Sequence, residues 1–455
     1  MSMTEQADMS LEFADHANAA TRQTSSKNVR WMGTLVIIFI AALLLEGVLR
    51  KWLLTPIQRP LIFIREPLLI LIYWSYFRTF PLKKKWLTPF FIYAFFVMFL
   101  TFAQNIYWQY PLLVPLMGVR YFIFYIPLAF IMWQTLDDLQ LRRILLFLLW
   151  VSVPVGILVM LQFLSPVASP INKGVTDDIE GRFTVIEGVI RPYGPFSFVL
   201  GQNYFAAMMT AVTLIAIDQR KRFQIGALPL YCGAISTAVM GALSGGRTYF
   251  AYLILISLTY VFAGFSSRRP KVAAKRLALI VVFLTGFVMM FVVVFPNAYA
   301  SMSQRQSNAT QNEGSTVIRA LSIITDGLDV IGEAPIFGTG VGSGTNAARS
   351  SVGVSRGFLN GETEWQRFIF EFGPLFGLMM LGLRVGLTVW LFFYALRLNR
   401  ARGDGSALIL WGFVGPMLAT AQVTMQNQMV SFNWLSIGLL LVMAKQGMMS
   451  GERSR

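Results

Sequence analysis

The sequence predicts an all-α fold: a polytopic bundle of about twelve transmembrane helices with a large extracytoplasmic loop that contains an amphipathic helix. Of the 455 residues, 55% are hydrophobic and only 13% are charged, whereas a soluble domain carries about 25% charged residues. Apolar runs of about the length that crosses a bilayer recur along the chain. These runs do not alternate polar and apolar residues, which argues against a transmembrane β-barrel.

The apolar runs divide the chain into membrane spans joined by polar connections. The expected spans lie near Met32–Leu49, Leu61–Phe77, Leu87–Ala103, Leu112–Trp133, Ile144–Leu164, Phe196–Ile217, Gln224–Leu243, Thr248–Phe265, Leu277–Phe295, Trp365–Leu396, Ala407–Val423 and Val430–Lys445. The resulting organisation is a cytoplasmic tail over 1–30, spans one to nine over 31–295 with an outer loop at 165–195, a large periplasmic loop over 296–361, spans ten to twelve over 362–446, and a cytoplasmic tail over 447–455.

Basic residues in the short connections predict the orientation, because cytoplasmic loops are enriched in Lys and Arg. Five connections that alternate along the chain carry such clusters: Lys83–Lys85, Arg142–Arg143, Arg220–Arg222, Arg268–Lys271 and Arg397–Arg402. We therefore expect both termini in the cytoplasm. Both long polar segments then lie outside, in the periplasm if the cell is Gram-negative.

The large loop contains one segment with helical periodicity. Between Thr316 and Ile331 the apolar residues recur at gaps of four and three, which predicts an amphipathic helix. Ser315 is the expected N-cap, and Arg319 lies near the start of the helix.

Several classes of site are disfavoured by the composition. His16, in the N-terminal tail, and Cys232 are the single histidine and the single cysteine, so no histidine- or cysteine-based metal site is expected in the membrane body. The glycines of Gly338–Gly344 lack the strand, helix and terminal lysine of a phosphate-binding P-loop, so we expect no nucleotide cofactor. The net charge of +16 is explained by membrane anchoring and an anionic ligand, and no nucleic-acid partner is expected.

Arginines on the outer face point to an anionic ligand, because the planar guanidinium suits phosphate and carboxylate recognition. Arg247 follows Ser244-Gly245-Gly246, where glycines let the backbone approach a ligand; the alternative is a tight turn with an anchoring arginine. Arg191 leads into a span that carries Asn203, whose amide either faces a site or joins helices. Further outer-face candidates are Arg50, Arg65 and Arg120.

The segment Gly361–Arg367 brings carboxylates and an arginine to the mouth of the tenth span. If this segment is helical, Glu364 and Arg367 lie one turn apart and form an ion pair. Glu362 precedes the helix and faces the loop. Each glutamate is a candidate general base, and the alternative is that it only balances the charge of neighbouring arginines.

The second half of the chain resembles the O-antigen polymerase/ligase superfamily, the Wzy and WaaL type of polytopic glycan transferases. The motifs occur in order as Arg191-x-x-Gly194-x-Phe196 with Asn203, Ser244–Arg247, Arg319 before the amphipathic helix, Pro335–Gly340, and Glu371-Phe372-Gly373 with Gly377. Ligases of this superfamily carry a histidine nine residues before the glutamate that matches Glu371. Glu362 stands at that position here, which favours the polymerase branch.

The resemblance implies a glycosyltransferase that polymerises polyprenyl-diphosphate-linked repeat units into exopolysaccharide or O-antigen, without a metal or other cofactor. It implies that Arg191, Arg247, Arg319 and Arg367 bind the diphosphate and that Glu362 or Glu364 accepts the proton of the acceptor hydroxyl. Besides the lipid-linked glycan and the bilayer, a chain-length regulator or a flippase is a candidate partner. Two alternatives stay open: transfer of finished glycan to another acceptor, and transport of the lipid-linked oligosaccharide.

Overall fold

The computed structural model describes residues 31–80, 84–175, 184–186, 189–267, 270–313, 316–345 and 363–452. The helices are α1 (Trp31–Leu53), α2 (Glu66–Thr79), α3 (Lys84–Trp108), α4 (Leu113–Val119), α5 (Ile126–Thr135), α6 (Asp138–Leu164), α7 (Val199–Asp218), α8 (Ala227–Ala242), α9 (Arg247–Ser266), α10 (Pro270–Met289), α11 (Pro296–Glu313), α12 (Thr316–Asp329), α13 (Glu364–Phe372), α14 (Pro374–Arg402), α15 (Ser406–Thr420) and α16 (Asn427–Glu452). Strands β1 (Thr184–Ile186) and β2 (Val189–Ile190) pair as a short antiparallel hairpin before α7.

The helical bundle confirms the predicted fold class. Ten helices of the described residues are long and apolar enough to span a membrane, and two shorter apolar helices, α8 and α15, occupy the seventh and eleventh predicted spans. The chain is therefore a multi-pass membrane protein. The fourth span is made of α4, a π-helical turn at Arg120–Phe124, and α5.

Helices α7 and α16, which carry buried polar side chains, form the centre of the bundle. Within the apolar stretches of α7 and α16, 89% and 83% of the residues are buried, against 17% for α10. The polar side chains of α7, including Gln202 and Asn203, are buried, as expected for polar groups in a membrane span. Large apolar side chains of α3, such as Phe95 and Phe99, point outwards and suit contact with lipid.

Helices α7, α9 and α16 begin at the same end of the bundle, which we call the site end. Gly246, directly before α9, packs against Asn203 in α7, and Gly201 in α7 packs against Gln428 in α16. The end of α1 also lies there, because Gly47 approaches the backbone of Pro195. A side chain at any of these glycines would collide with its neighbour, so the helix starts approach each other closely.

The tenth span differs from the prediction of one helix over Trp365–Leu396. Helix α13 ends at Phe372, and α14 begins at Pro374. Gly373 between them has φ +82, a conformation that glycine adopts readily and that a continuing helix excludes. Pro374 then occupies the first turn of α14, where its missing N–H leaves no bond unmade.

The described part of the large loop contains two α-helices. The amphipathic helix is confirmed as α12, and Gly327 on it packs against Trp365 of α13. A second loop helix, α11, was missed because its sequence is polar and has no apolar stripe. Ser315, the predicted N-cap of α12, lies outside the described residues.

Candidate functional site

The glycine-rich segment Gly338–Gly344 binds a side chain of the protein itself. The backbone N–H groups of Gly342 and Gly344 donate to the two carboxylate oxygens of Glu371, at 3.0 and 2.9 Å. Gln104 of α3 accepts from the N–H of Val341 at 2.9 Å. The backbone amides of this segment therefore hold α13 against the loop.

Gly342 is expected to tolerate no side chain. Its φ is +95, and an added Cβ would lie 2.4 Å from the carbonyl oxygen of Val114. We expect Gly342→Ala to lower the free energy of unfolding by about 3 kcal/mol, through backbone strain and overpacking. Thermal unfolding of the purified protein measures this. Gly382→Ala is the matched control, because no atom lies near its added Cβ; equal melting temperatures for both variants would contradict the prediction.

Helix α13 starts with a capping box. The Thr363 hydroxyl accepts from the N–H of Gln366 at 3.2 Å, and the Gln366 side chain accepts from the N–H of Thr363 at 3.1 Å. This reciprocal cap satisfies two helix-end donors. It fixes the start of the helix so that the next side chain, Glu364, points into the protein.

Four charged residues form a closed ion-pair network, which we call the α13 network: Glu364, Arg367, Glu371 and Arg384. Arg367 lies 2.8 Å from Glu371 and 3.3 Å from Glu364, which confirms the predicted pairing of Glu364 with Arg367. Arg384, from within α14, lies 3.0 Å from Glu364. Glu364 is fully buried and also accepts from the N–H and the hydroxyl of Thr424, at 2.9 and 2.8 Å.

The α13 network carries no net charge, since two guanidinium groups face two carboxylates. Burial alone lowers the pKa of Arg367, but the carboxylates of Glu371 and Glu364 outweigh that effect and raise it above the ordinary value. Arg367 therefore stays charged. Arg384 also donates to the carbonyl groups of Leu418 and Ala421 at the end of α15. Removing one member of such a network is strongly destabilising, because it leaves a buried charge uncompensated.

A second network, which we call the α1 network, holds three further candidate arginines. Glu46 of α1 lies 3.0 Å from both Arg50 and Arg65, and Arg120 pairs with Glu66. Asn427 at the start of α16 joins the two halves, because it donates to Glu46 at 3.1 Å and accepts from Arg120. The charges near the membrane ends of these spans thus have partners, as a low-dielectric environment requires.

The start of α9, which carries Arg247, packs beside Asn203 of α7. Arg247 is the first residue of α9, and Gly246 before it packs against the Asn203 amide. Asn203 is 1% exposed, and neither atom of its amide has a hydrogen-bond partner among the described residues. Gly245, with φ +56, turns the chain into the helix. The N-terminus of α9, which begins with Arg247, and a buried amide without a partner therefore lie side by side, and helix N-termini attract anions.

Arg191 follows β2 and leads towards α7, whose first turn carries Gln202 and Asn203. The Gln202 amide also lacks a hydrogen-bond partner among the residues described, although it is fully buried. Arg191 and Arg247 are both half-buried. Glu362 lies outside the described residues, as does the side chain of Arg319, whose backbone belongs to α12.

Sequence reasoning missed Arg384, Glu46, Glu66 and Asn427. An arginine inside an apolar span is rare and usually has a defined partner, so Arg384 could have been singled out by that rule. Arg120 and Glu66 lie far apart in the chain, as do Asn427 and Glu46. Within the described residues, no cluster of three or more histidine, cysteine, aspartate or glutamate side chains could hold a metal ion.

A sequence model of the family described as O-antigen ligase matches residues 232–362. This match supports the resemblance of the chain to the O-antigen polymerase/ligase superfamily. The matched range contains Arg247, Arg319 and the glycine-rich segment, and it ends at Glu362. The description of the matching family points to a glycan-transferring enzyme. No curated protein matches the chain.

Proposed function

We propose that the enzyme polymerises polyprenyl-diphosphate-linked oligosaccharide repeat units into exopolysaccharide or O-antigen. The site end faces the periplasm in this proposal, and both termini lie in the cytoplasm of the inner membrane. The observation that supports it is the packing of the unpartnered Asn203 amide of α7 against Gly246, directly before Arg247 at the start of α9, where the family-matched region includes Gly246 and Arg247. Transfer of the glycan develops negative charge on the departing diphosphate, which preorganised donors stabilise.

Arg247, Arg191 and Arg319 bind the diphosphate in this proposal, as the resemblance to the superfamily implies. Glu364 and Arg367 are held within the α13 network, so we assign them to positioning the wall of the site. Glu362, at the position of the ligase histidine, is then the candidate base that accepts the proton of the acceptor hydroxyl.

An apolar cavity of about 300 Å³ beside the α13 network supports a lipid-linked donor. Its lining is mostly aromatic and aliphatic, and it includes Arg384 and Thr424 of the network surroundings. We assign this cavity to isoprene units of the donor, because its lining is mostly apolar and comes largely from the membrane spans. The polar site and the lipid tail are thereby accommodated by adjacent elements.

We expect Glu362→Ala to abolish polymer and to leave lipid-linked single repeats, because proton transfer by a positioned base contributes about 10²–10⁴-fold to rate. The measurement is gel electrophoresis of products from purified protein mixed with lipid-linked repeat units. Glu313→Ala is the matched control, since it removes a glutamate of α11 at the other end of the same loop. Full-length polymer from folded Glu362→Ala protein would contradict the role of Glu362.

The same assay separates the alternatives. The family description favours ligase-type transfer to another acceptor as the second candidate function. Elongation of the repeat units identifies a polymerase, and transfer only to an added second acceptor identifies a ligase. Translocation of the lipid across vesicles without elongation identifies a transporter and would refute the proposed reaction.

A further inference from the structure

A polar pocket of about 270 Å³ lies at the site end, and the proposed reaction gives it no role. It is enclosed by the end of α1, the segment before α7 and the start of α16. Its polar lining consists of Glu46, Arg50, Ser197, Gln426, Asn427 and Gln428, and its ring-bearing lining of Tyr121 and Phe198.

The two charged residues that line the polar pocket, Glu46 and Arg50, are paired with each other. Glu46 forms ion pairs with Arg50 and Arg65, both at 3.0 Å, and Arg50 also donates to the Ser197 hydroxyl at 3.0 Å. A phosphate in the pocket would therefore meet a carboxylate as well as a guanidinium. The three consecutive amides from Gln426 to Gln428 both donate and accept hydrogen bonds, which suits neutral hydroxyl groups.

Gln428 supplies the observation that points to a ligand. Its side chain is 4% exposed and lines the pocket, and its Nε2 has no hydrogen-bond partner among the described residues. Burial of an unpaired amide is unfavourable, and such a group in a native protein calls for a partner. An acceptor oxygen of a bound molecule in the pocket would provide it.

The backbone beside the pocket is irregular in two places. π-Helical turns at Leu49–Leu53 and Arg120–Phe124 carry the lining residues Arg50 and Tyr121. Single π-helical turns inside α-helices occur frequently at functional sites. The rings of Tyr121 and Phe198 add apolar faces, against which the C–H face of a sugar ring can pack.

We propose that the polar pocket binds a neutral pyranose unit of the glycan, with Gln428 donating to a sugar oxygen. This inference rests on the proposed function for its choice of a glycan. It adds a saccharide subsite separate from the proposed diphosphate site at Arg247. The pocket would then hold a sugar while the diphosphate is bound at the start of α9.

Saturation-transfer NMR on the full chain in detergent tests the pocket directly. The probes are the methyl glycosides of glucose, galactose and N-acetylglucosamine. We expect at least one of them to bind, and Gln428→Leu to weaken its Kd about tenfold, the loss of one good hydrogen bond. The variant should melt no lower than the wild type, because an unpaired buried amide is removed. A merely structural glutamine would show the opposite pattern.

Gln304→Leu is the matched control, because Gln304 is exposed on α11 and lies outside the pocket. The inference is overturned if no probe binds above a detergent blank, or if Gln428→Leu binds as tightly as the wild type. It is also overturned if inorganic pyrophosphate binds with an affinity that depends on Gln428. If no probe binds but the wild type elongates repeat units, the subsite alone fails. If probes bind in a protein that never elongates, the proposed reaction fails and the subsite stands.

Elongation kinetics identify which glycan supplies the sugar. A labelled lipid-linked repeat serves as donor and a lipid-free repeat oligosaccharide as acceptor. If Gln428→Leu raises the KM for the acceptor alone, the pocket binds the acceptor sugar, and a raised KM for the donor alone assigns it to the donor. Unchanged values for both substrates contradict the subsite.

Discussion

Arg247→Ala is expected to reduce the rate of glycan transfer by about 10²–10³-fold, the loss that follows removal of one preorganised donor from a developing negative charge. Arg247 is the first residue of α9. In the proposed anion site its guanidinium acts together with the backbone N–H groups at the start of α9 and the buried Asn203 amide. Single-turnover elongation of a labelled lipid-linked repeat measures the effect. The melting temperature of the variant, measured beside the rate, verifies that the protein is folded.

Two variants make this result specific. Arg247→Lys keeps the charge but loses the planar fork, so an intermediate rate is expected. Arg59→Ala removes an exposed arginine between α1 and α2 and should leave the rate unchanged. Transfer at the wild-type rate by correctly folded Arg247→Ala protein would show that the diphosphate is bound elsewhere.

Glu371→Ala is expected to destabilise the protein by about 3–5 kcal/mol, because it leaves a buried charge without its closest partner. Arg367 lies 2.8 Å from Glu371 and is itself buried. The N–H groups of Gly342 and Gly344 also lose their acceptor. The melting temperature of the purified protein in one detergent measures the change.

A double variant distinguishes the ion pair from simple loss of packing. Removing both charges with Glu371→Leu and Arg367→Met replaces the pair by apolar side chains and should recover part of the stability. Full recovery is not expected, because the glycine N–H groups stay unsatisfied. If Glu371→Ala melts within a degree of the wild type, the α13 network does not hold the wall of the site.

The fold was largely predictable because membrane spans are local features of the sequence. Span length and the basic clusters depend on neighbouring residues, and the stripe that defines α12 lies within sixteen residues. The break at Gly373 was also marked locally, by a glycine followed by a proline. The apolar pattern nevertheless continues across Gly373 without interruption, and it therefore predicts a single helix.

The candidate site was predictable only in part. Glu364 and Arg367 are one helical turn apart, so their pairing follows from spacing. The bond between Arg384 and Glu364, and that between Asn427 and Glu46, join residues whose proximity depends on the packed bundle. A single sequence does not reveal such distant pairs. The same holds for Glu371, whose carboxylate meets backbone amides from the other side of the loop.

The central position of α7 has a consequence for how the protein is made. Its buried polar face is covered partly by α15 and α16, which are synthesised last. A helix with such a face enters and remains in the bilayer most readily when a partner shields its amides. The amides of Gln202 and Asn203 are therefore fully shielded only after the last two membrane segments, α15 and α16, have been synthesised. The site end therefore forms only when translation is nearly finished. We expect membrane quality control to recognise C-terminally truncated chains.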